Sequence, residues 1–179
     1  MGGPRMVTVS RSGGGGGVEC CCCRCCTCLH LQFLKTTPGA LKIAEVVAGA
    51  LCQSLLINFG LIDSGRLGAS FVSFLTTVSS CLMTTSLLLA CYVLSENSFR
   101  LIRSSLFETL FNAVASFLFL SASSYLAFSV IEYLLPVYKI TPFYQAYPAM
   151  TSAYMFGLVL GVLHGIDAYL AYRHFRGVC

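Results

Sequence analysis

The fold is decided by an uncharged stretch at residues 70–94, which reads SFVSFLTTVSSCLMTTSLLLACYVL. A helix of about 20 apolar residues crosses the roughly 30 Å hydrocarbon core of a bilayer, and this stretch is longer than that and holds no Asp, Glu, Lys or Arg. Its many Ser and Thr hydroxyls are compatible with a spanning helix, because each can bond to a carbonyl of the preceding turn. The stretch therefore predicts a transmembrane helix.

Three further stretches of similar length carry at most one charged residue each. They run from about Ile43 to Ile62 with Glu45, from about Leu106 to Ile131 with Glu108, and from about Met150 to Tyr172 with Asp167. In lipid, every backbone polar group has to be hydrogen-bonded within its own segment, so each stretch must be helical. The sequence predicts an all-α membrane protein, a bundle of four transmembrane helices.

The composition supports this class and argues against a water-soluble enzyme domain. The 179 residues are 56% hydrophobic and 10% charged, whereas a soluble domain carries about a quarter charged residues. The sequence contains no nucleophile elbow, phosphate-binding glycine loop or His-rich metal motif. We therefore expect no catalytic activity, cofactor or metal site, and the lack of a basic, aromatic-studded surface argues against nucleic acid as a partner.

The basic residues predict the orientation of the four spans. One side of the predicted membrane holds nine of them and the other side two. The nine are Arg5, Arg11, Arg24, Lys35, Lys42, Arg100, Arg103, Arg173 and Arg176, and the two are Arg66 and Lys139. The positive-inside rule then places both termini in the cytosol. The longer outside loop, residues 132–148, contains three prolines and is predicted to be irregular rather than helical.

Residues 1–32 form a separate segment that is rich in glycine and cysteine. The glycines at 13–17 predict a flexible tail. Seven cysteines follow within nine positions: Cys20, Cys21, Cys22, Cys23, Cys25, Cys26 and Cys28. A reducing cytosol argues against disulfides. Two cysteines separated by two residues are a spacing typical of zinc ligands, but no second ligand pair with matching spacing follows. S-palmitoylation is the favoured interpretation, since juxtamembrane cytosolic cysteines are its usual substrates. Metal binding and unmodified thiols remain alternatives.

Small residues recur at four-residue spacing in three spans. The sets are Gly157, Gly161 and Gly165; Ala40, Ala44, Ala48 and Cys52; and Thr76, Ser80 and Thr84. Such faces let two helix backbones approach closely, usually within one bundle and sometimes between proteins. The expected partners are thus membrane lipids and, through these faces, a second copy of the chain or other membrane proteins.

The three acidic residues of the spans, Glu45, Glu108 and Asp167, fall near the same cytosolic level. Each has a basic residue nearby in the sequence: Lys42, then Arg103 or Arg100, then Arg173. We expect an interfacial ring of ion pairs with snorkelling side chains, which is a structural role. His164 lies deeper, one turn before Asp167, and is expected to be a buried histidine bonded to a neighbour, with a His–Asp proton relay as the alternative.

Two segments resemble the opening and closing helices of a MARVEL domain. They are FLKTTPGALKIAEVV at 33–47 and IDAYLAYRHF at 166–175, so the resemblance covers 33–176 and leaves 177–179 as a short tail. Within that family the chain is similar to the chemokine-like-factor type. The resemblance implies a non-enzymatic role in vesicle trafficking and membrane apposition or fusion, at the plasma membrane or on vesicles. For the member with the most similar cysteine-rich segment, it implies the fusion of myoblasts. The alternative function is a small channel or transporter.

In acyl-exchange labelling, hydroxylamine cleaves thioesters and a mass tag is attached to each cysteine that is freed. We predict that the protein gains several such tags when hydroxylamine is present. The motivation is seven thiols within about 15 residues of a span. Replacement of all seven cysteines at 20–28 by serine should abolish the shift. A shift that survives this replacement, or a wild-type protein with no shift, contradicts acylation of the segment.

Overall fold

The computed structural model describes residues 31–103, 105–141 and 143–177, with side chains from Phe33 onward. The predictions for the glycine-rich tail and the cysteine run fall outside these residues. Four long helices make up most of the described chain: α1 (Thr37–Leu55), α3 (Ala69–Leu94), α5 (Leu106–Ser129) and α7 (Ala146–Phe175). Each is long and apolar enough to cross a membrane, and the described residues contain no β-strand. The prediction of a four-helix membrane bundle is confirmed.

Short helical elements join the four long helices. A 3₁₀ turn at Leu31–Lys35 precedes α1, and a π-helical turn at Leu56–Gly60 extends it. The short helices α2 (Ser64–Leu67) and α4 (Glu96–Arg103) lie before and after α3. A second π-helical turn, Val130–Leu134, extends α5 into α6 (Leu135–Ile140).

The long helices stand at the corners of a square. Each packs against two neighbours, in the order α1, α3, α5, α7 and back to α1, and the α5–α7 interface is the most extensive. Because the connections are short, consecutive spans run antiparallel. The start of α1, the α3–α5 connection and the last turns of α7 therefore share one end, which we call the terminal end. The opposite end, with α2 and α6, is the loop end.

The first span begins earlier than the hydropathy predicts, at Thr37 rather than Ile43. The Thr36 hydroxyl caps the helix by accepting a hydrogen bond from the Gly39 backbone N–H at 3.3 Å. Pro38 suits the first turn because its missing N–H would have no intrahelical partner there. A Cβ at position 39 would collide with the Phe33 carbonyl, so glycine lets the 3₁₀ turn fold back against α1.

The predicted irregular loop at 132–148 is wrong for most of its length. The helix continues to Ile140, and α7 begins at Ala146, which leaves only a short connection. Pro148 is tolerated because it lies in the first turn of α7, where backbone N–H groups have no intrahelical acceptor. Pro136 lies two residues after the π-helical turn Val130–Leu134, where the regular hydrogen-bond pattern of the helix is already interrupted.

The glycines of α7 face α5 and the bundle core. A Cβ at Gly157 would collide with the Ser123 hydroxyl and the Phe74 ring, and one at Gly161 would lie 2.8 Å from Leu120 Cγ. Gly165 is less crowded, since the nearest atom to a Cβ there, Ser116 Oγ, would be 3.2 Å away. The Ser116 hydroxyl also donates to the Gly161 carbonyl at 2.7 Å. The two helices thus approach closely at Gly157 and Gly161.

We predict that Gly157→Ala destabilises the bundle by about 1–3 kcal/mol, because the added methyl has to displace the buried Phe74 ring. Unfolding by sodium dodecyl sulfate in mixed micelles measures the change. Gly65→Ala in α2 is the control, since nothing lies within 4 Å of a Cβ there. Equal stability of the two variants contradicts the close approach.

Candidate functional site

Five charged side chains from four helices converge inside the terminal end of the bundle. Together with Asn112 and His164 they form what we call the charge cluster: Lys42 and Glu45 on α1, Arg103 at the end of α4, Glu108 and Asn112 on α5, and His164 and Asp167 on α7. None of the seven residues is more than 4% exposed. At 1.5 Å per residue, Asp167 lies about 12 Å before the end of α7. The cluster is therefore an internal site and not a surface feature.

Lys42 joins α1 to two other helices. Its ammonium group lies 2.9 Å from Glu45 Oε2 and 2.7 Å from Asp167 Oδ2, and it donates to Asn112 Oδ1 at 3.0 Å. The pair with Glu45 connects residues one turn apart, whereas the other two contacts cross to α7 and α5. All three protons of the ammonium group thus have acceptors, which a buried cation requires.

Arg103 supplies the second positive charge. Its Nη1 donates to Glu108 Oε1 at 2.8 Å and to Asp167 Oδ1 at 3.1 Å. Burial by itself would lower the pKa of the guanidinium, but the two neighbouring carboxylates outweigh burial and raise the pKa above its ordinary value. Arg103 therefore stays charged. The connection between α3 and α5 is tied to α7 through this one side chain.

Asn112 is the uncharged centre of the cluster. Its Oδ1 accepts from Lys42 and its Nδ2 donates to Asp167 Oδ2 at 3.0 Å, so the two neighbours fix the orientation of the amide. His164 Nδ1 lies 3.0 Å from the same Asn112 Oδ1. The imidazole ring stacks on Phe119, with ring centroids 5.5 Å apart. His164 is thus a buried histidine bonded to a neighbour, as expected.

An aromatic lid packs beside the cluster at the terminal end. Phe33 of the 3₁₀ turn, Tyr92 of α3 and Phe99 of α4 contact one another, with ring centroids 4.9–5.3 Å apart. Phe33 and Tyr92 are fully buried. The Tyr92 hydroxyl is buried on the Glu108 side of the cluster and makes no hydrogen bond. The lid shields the cluster from the aqueous side of the terminal end, and this strengthens the electrostatic interactions within it.

The structure differs from the expected interfacial ring in two respects. Glu45, Glu108 and Asp167 are at the expected level, but they point into the bundle and form one network instead of three separate pairs. Asp167 also pairs with Lys42 and Arg103, while Arg173 is exposed. The physical reason is that cations from two other elements reach the interior, where an unpaired carboxylate is far more costly than at the surface.

Asn112 is the member of the cluster that the sequence analysis missed. An amide in an apolar helix, one turn after Glu108, was the available signal. Polar side chains inside a span usually face the bundle, because an unsatisfied amide in hydrocarbon is unfavourable. The cluster contains no nucleophile activated by a base, and the described residues hold no group of His, Cys, Asp and Glu arranged for a metal ion. Its evident chemistry is charge pairing.

Comparisons with known proteins cover the whole of this site. The family model described as a membrane-associating domain, MARVEL, matches residues 33–170. The chain is 46% identical over 154 residues to Protein singles bar of Drosophila melanogaster, which covers 86% of this chain and 88% of that protein. No solved structure matches the chain. The family match begins at the lid residue Phe33 and includes every member of the charge cluster.

We predict that Lys42→Met destabilises the bundle by about 3–5 kcal/mol, because it leaves Glu45 and Asp167 buried with one cation fewer. Unfolding in mixed micelles again gives the measurement. Lys139→Met removes an exposed lysine at the loop end and should have little effect. The double variant Lys42→Met, Glu45→Gln should recover part of the loss, since it removes one unpaired carboxylate. No difference between the two single variants contradicts the network.

Proposed function

Because the chain belongs to the MARVEL family of membrane-associating domains, we propose that it organises membranes in vesicle trafficking and in membrane apposition or fusion, and that it carries no substrate. The chain is an integral multi-pass membrane protein. The observation that supports the proposed role is that the charge cluster is closed to solvent. The buried charged side chains of the spans pair with one another and with Arg103 instead of facing a solvated cavity.

The outer surface of the bundle supports a role that depends on contact with lipid. Large apolar side chains are more than half exposed along the helices, among them Val72, Met83 and Leu87 on α3 and Phe117 and Phe128 on α5. In a membrane these side chains face acyl chains. A smooth apolar bundle can sort among membranes by thickness, because mismatch between the helices and the bilayer costs fractions of a kcal/mol per Å.

The proposal includes an orientation and a location. The terminal end faces the cytosol, since nine of the eleven basic residues fall on that side, and the protein resides in the plasma membrane or in vesicles. In this orientation the cysteine run lies on the cytosolic face. Acyl chains there add about 0.8 kcal/mol per buried CH₂ and bias the choice of lipid domain more than they anchor a protein with four spans.

The charge cluster also favours a second candidate, a small channel or transporter. Buried ionisable residues in a span are functional candidates by default, and His164 together with Asp167 could relay protons. Two features weigh against this candidate. Beyond the cluster towards the loop end, the bundle interior is filled by Phe74, Phe119 and Leu160, all at most 1% exposed. A groove of about 320 Å³ on α7, lined by Met155, Phe156 and Val159 among others, is open to the outside and is not a channel.

Flux through reconstituted liposomes separates the two candidates. We expect no ion or solute flux above that of protein-free vesicles, because aromatic and aliphatic side chains fill the interior. The variants His164→Gln and Asp167→Asn should give the same result. A saturable flux that either substitution abolishes contradicts the organiser role and supports transport.

We further propose that the protein acts in cell–cell fusion, that of myoblasts in particular. The support is the family resemblance together with the 46% identity to Protein singles bar. In fusion-competent muscle precursors, loss of the protein should leave cells adherent but mononucleate, with vesicles gathered at the contact zone, as seen by electron microscopy. A copy with Gly65→Ala should restore fusion. Normal fusion without the protein contradicts this specific role and leaves the broader membrane-organising proposal in place.

A further inference from the structure

The charge cluster contains one more acidic than basic side chain. Glu45, Glu108 and Asp167 are matched by two permanent cations, Lys42 and Arg103, and all five are buried. A buried charge without a counter-charge is strongly unfavourable, and a group in that position takes up a proton instead. We propose that the cluster binds one proton, held between Glu45 and His164, and that this proton balances the charge of the bundle interior.

The contacts of the three acids leave Glu45 and Glu108 with too little positive charge, and only Glu45 has a histidine beside it. Asp167 has a cation at each oxygen, with Arg103 at Oδ1 and Lys42 at Oδ2. Glu108 has only Arg103, at 2.8 Å, which it shares with Asp167, and its second oxygen is buried without a hydrogen bond. Glu45 has only Lys42, and Lys42 is divided between Glu45 and Asp167. Glu45 and Glu108 thus have the same shortage of positive charge, and Glu45 is the one whose second oxygen lies next to an imidazole.

The second oxygen of Glu45 faces the imidazole of His164. Glu45 Oε1 is buried without a hydrogen bond, and His164 Nδ1 lies 3.3 Å from it. Asn112 Oδ1, already an acceptor from Lys42, lies 3.0 Å from the same ring nitrogen, so Nδ1 must carry a proton to be compatible with it. A second proton then either makes the imidazole cationic against the Glu45 carboxylate or resides on Glu45. These are two forms of one coupled site.

The remaining titratable groups around Glu45 do not supply the missing charge. From α3 the thiol of Cys81 faces Glu45, and Tyr92 faces the Glu108 side of the cluster. Both groups are neutral at physiological pH. From α5 Glu108 adds a further negative charge, and from α7 Asp167 does the same. Every described titratable group that faces Glu45, apart from Lys42 and His164, is therefore acidic or neutral.

The sign of the pH dependence follows from the number of protons bound. In the unfolded chain a glutamate loses its proton near pH 4.3 and a histidine near pH 6.5, as solvated groups do. Above those values the folded protein holds one proton more than the unfolded chain. Above about pH 6.5 the stability of the fold therefore decreases as the pH rises. The equilibrium constant for unfolding increases by up to tenfold per pH unit.

The full-length protein in lipid nanodiscs provides the test, with thermal unfolding followed by circular dichroism between about pH 5 and 9. The wild-type midpoint should fall as the pH rises. Glu45→Gln keeps the shape of the side chain and removes the surplus charge, so its midpoint should no longer fall as the pH rises. Glu132→Gln, at an exposed carboxylate of the loop end, should keep the wild-type profile. Glu108→Gln also balances the cluster and serves if Glu45→Gln fails to fold.

Three results would overturn the proton site. They are a wild-type midpoint that does not change with pH, a Glu45→Gln profile as steep as that of Glu132→Gln, and stabilisation by Na⁺ or K⁺ without pH dependence, which would mean that a metal cation supplies the charge. Infrared difference spectra locate the proton. Either a protonated carboxyl band that Glu45→Gln removes or the imidazolium bands of His164 support the proposal, and the absence of both contradicts it. This inference does not depend on the proposed role in fusion.

Discussion

The Asp167 carboxylate accepts from three separate elements, and the arrangement of the whole bundle depends on that shared contact. Arg103 approaches one oxygen at 3.1 Å, while Lys42 and Asn112 approach the other at 2.7 and 3.0 Å. In this way one side chain of α7 fixes the positions of α1, α4 and α5. In lipid no water replaces a missing partner, so a displacement of any of these elements would expose charges to a medium that solvates them poorly.

The small residues of α7 complement this electrostatic constraint. Charge pairing fixes the level at which the helices meet, but it does not set the distance between their axes. Gly157 and Gly161 set that distance by letting α5 approach, and the Ser116 hydroxyl closes the gap with a bond to the Gly161 carbonyl. On the other flank of α7 the Cys52 thiol of α1 lies 3.4 Å from the Ala153 carbonyl. Polar and steric terms thus specify the same packing, which favours a single folded state.

The sequence predicts the four spans well, because hydropathy over 20 residues is a one-dimensional property. It also identifies most of the ionisable residues of the cluster as individual positions. It does not reveal that Lys42 meets Asp167, since that contact depends on which helices are neighbours and on how each is rotated. The predicted helix boundaries were wrong where neighbouring groups compensate for a residue type that usually ends a helix. Glu45 balances the charge of Lys42 inside the bundle, and Pro136 follows a π-helical turn, so neither ends a helix as its residue type suggests.

The distribution of charges along the chain has a consequence for the order of membrane assembly. Before α7 is synthesised, Lys42 has Glu45 and Arg103 has Glu108, so the first three spans carry balanced local pairs. The fourth span then brings the odd carboxylate, Asp167, and the base His164 together. An orientation in which Asp167 faces acyl chains has a much higher free energy than the one in which it lies between Lys42 and Arg103. The contacts of Asp167 with Lys42 and Arg103 therefore favour a single rotation of the last helix within the bundle.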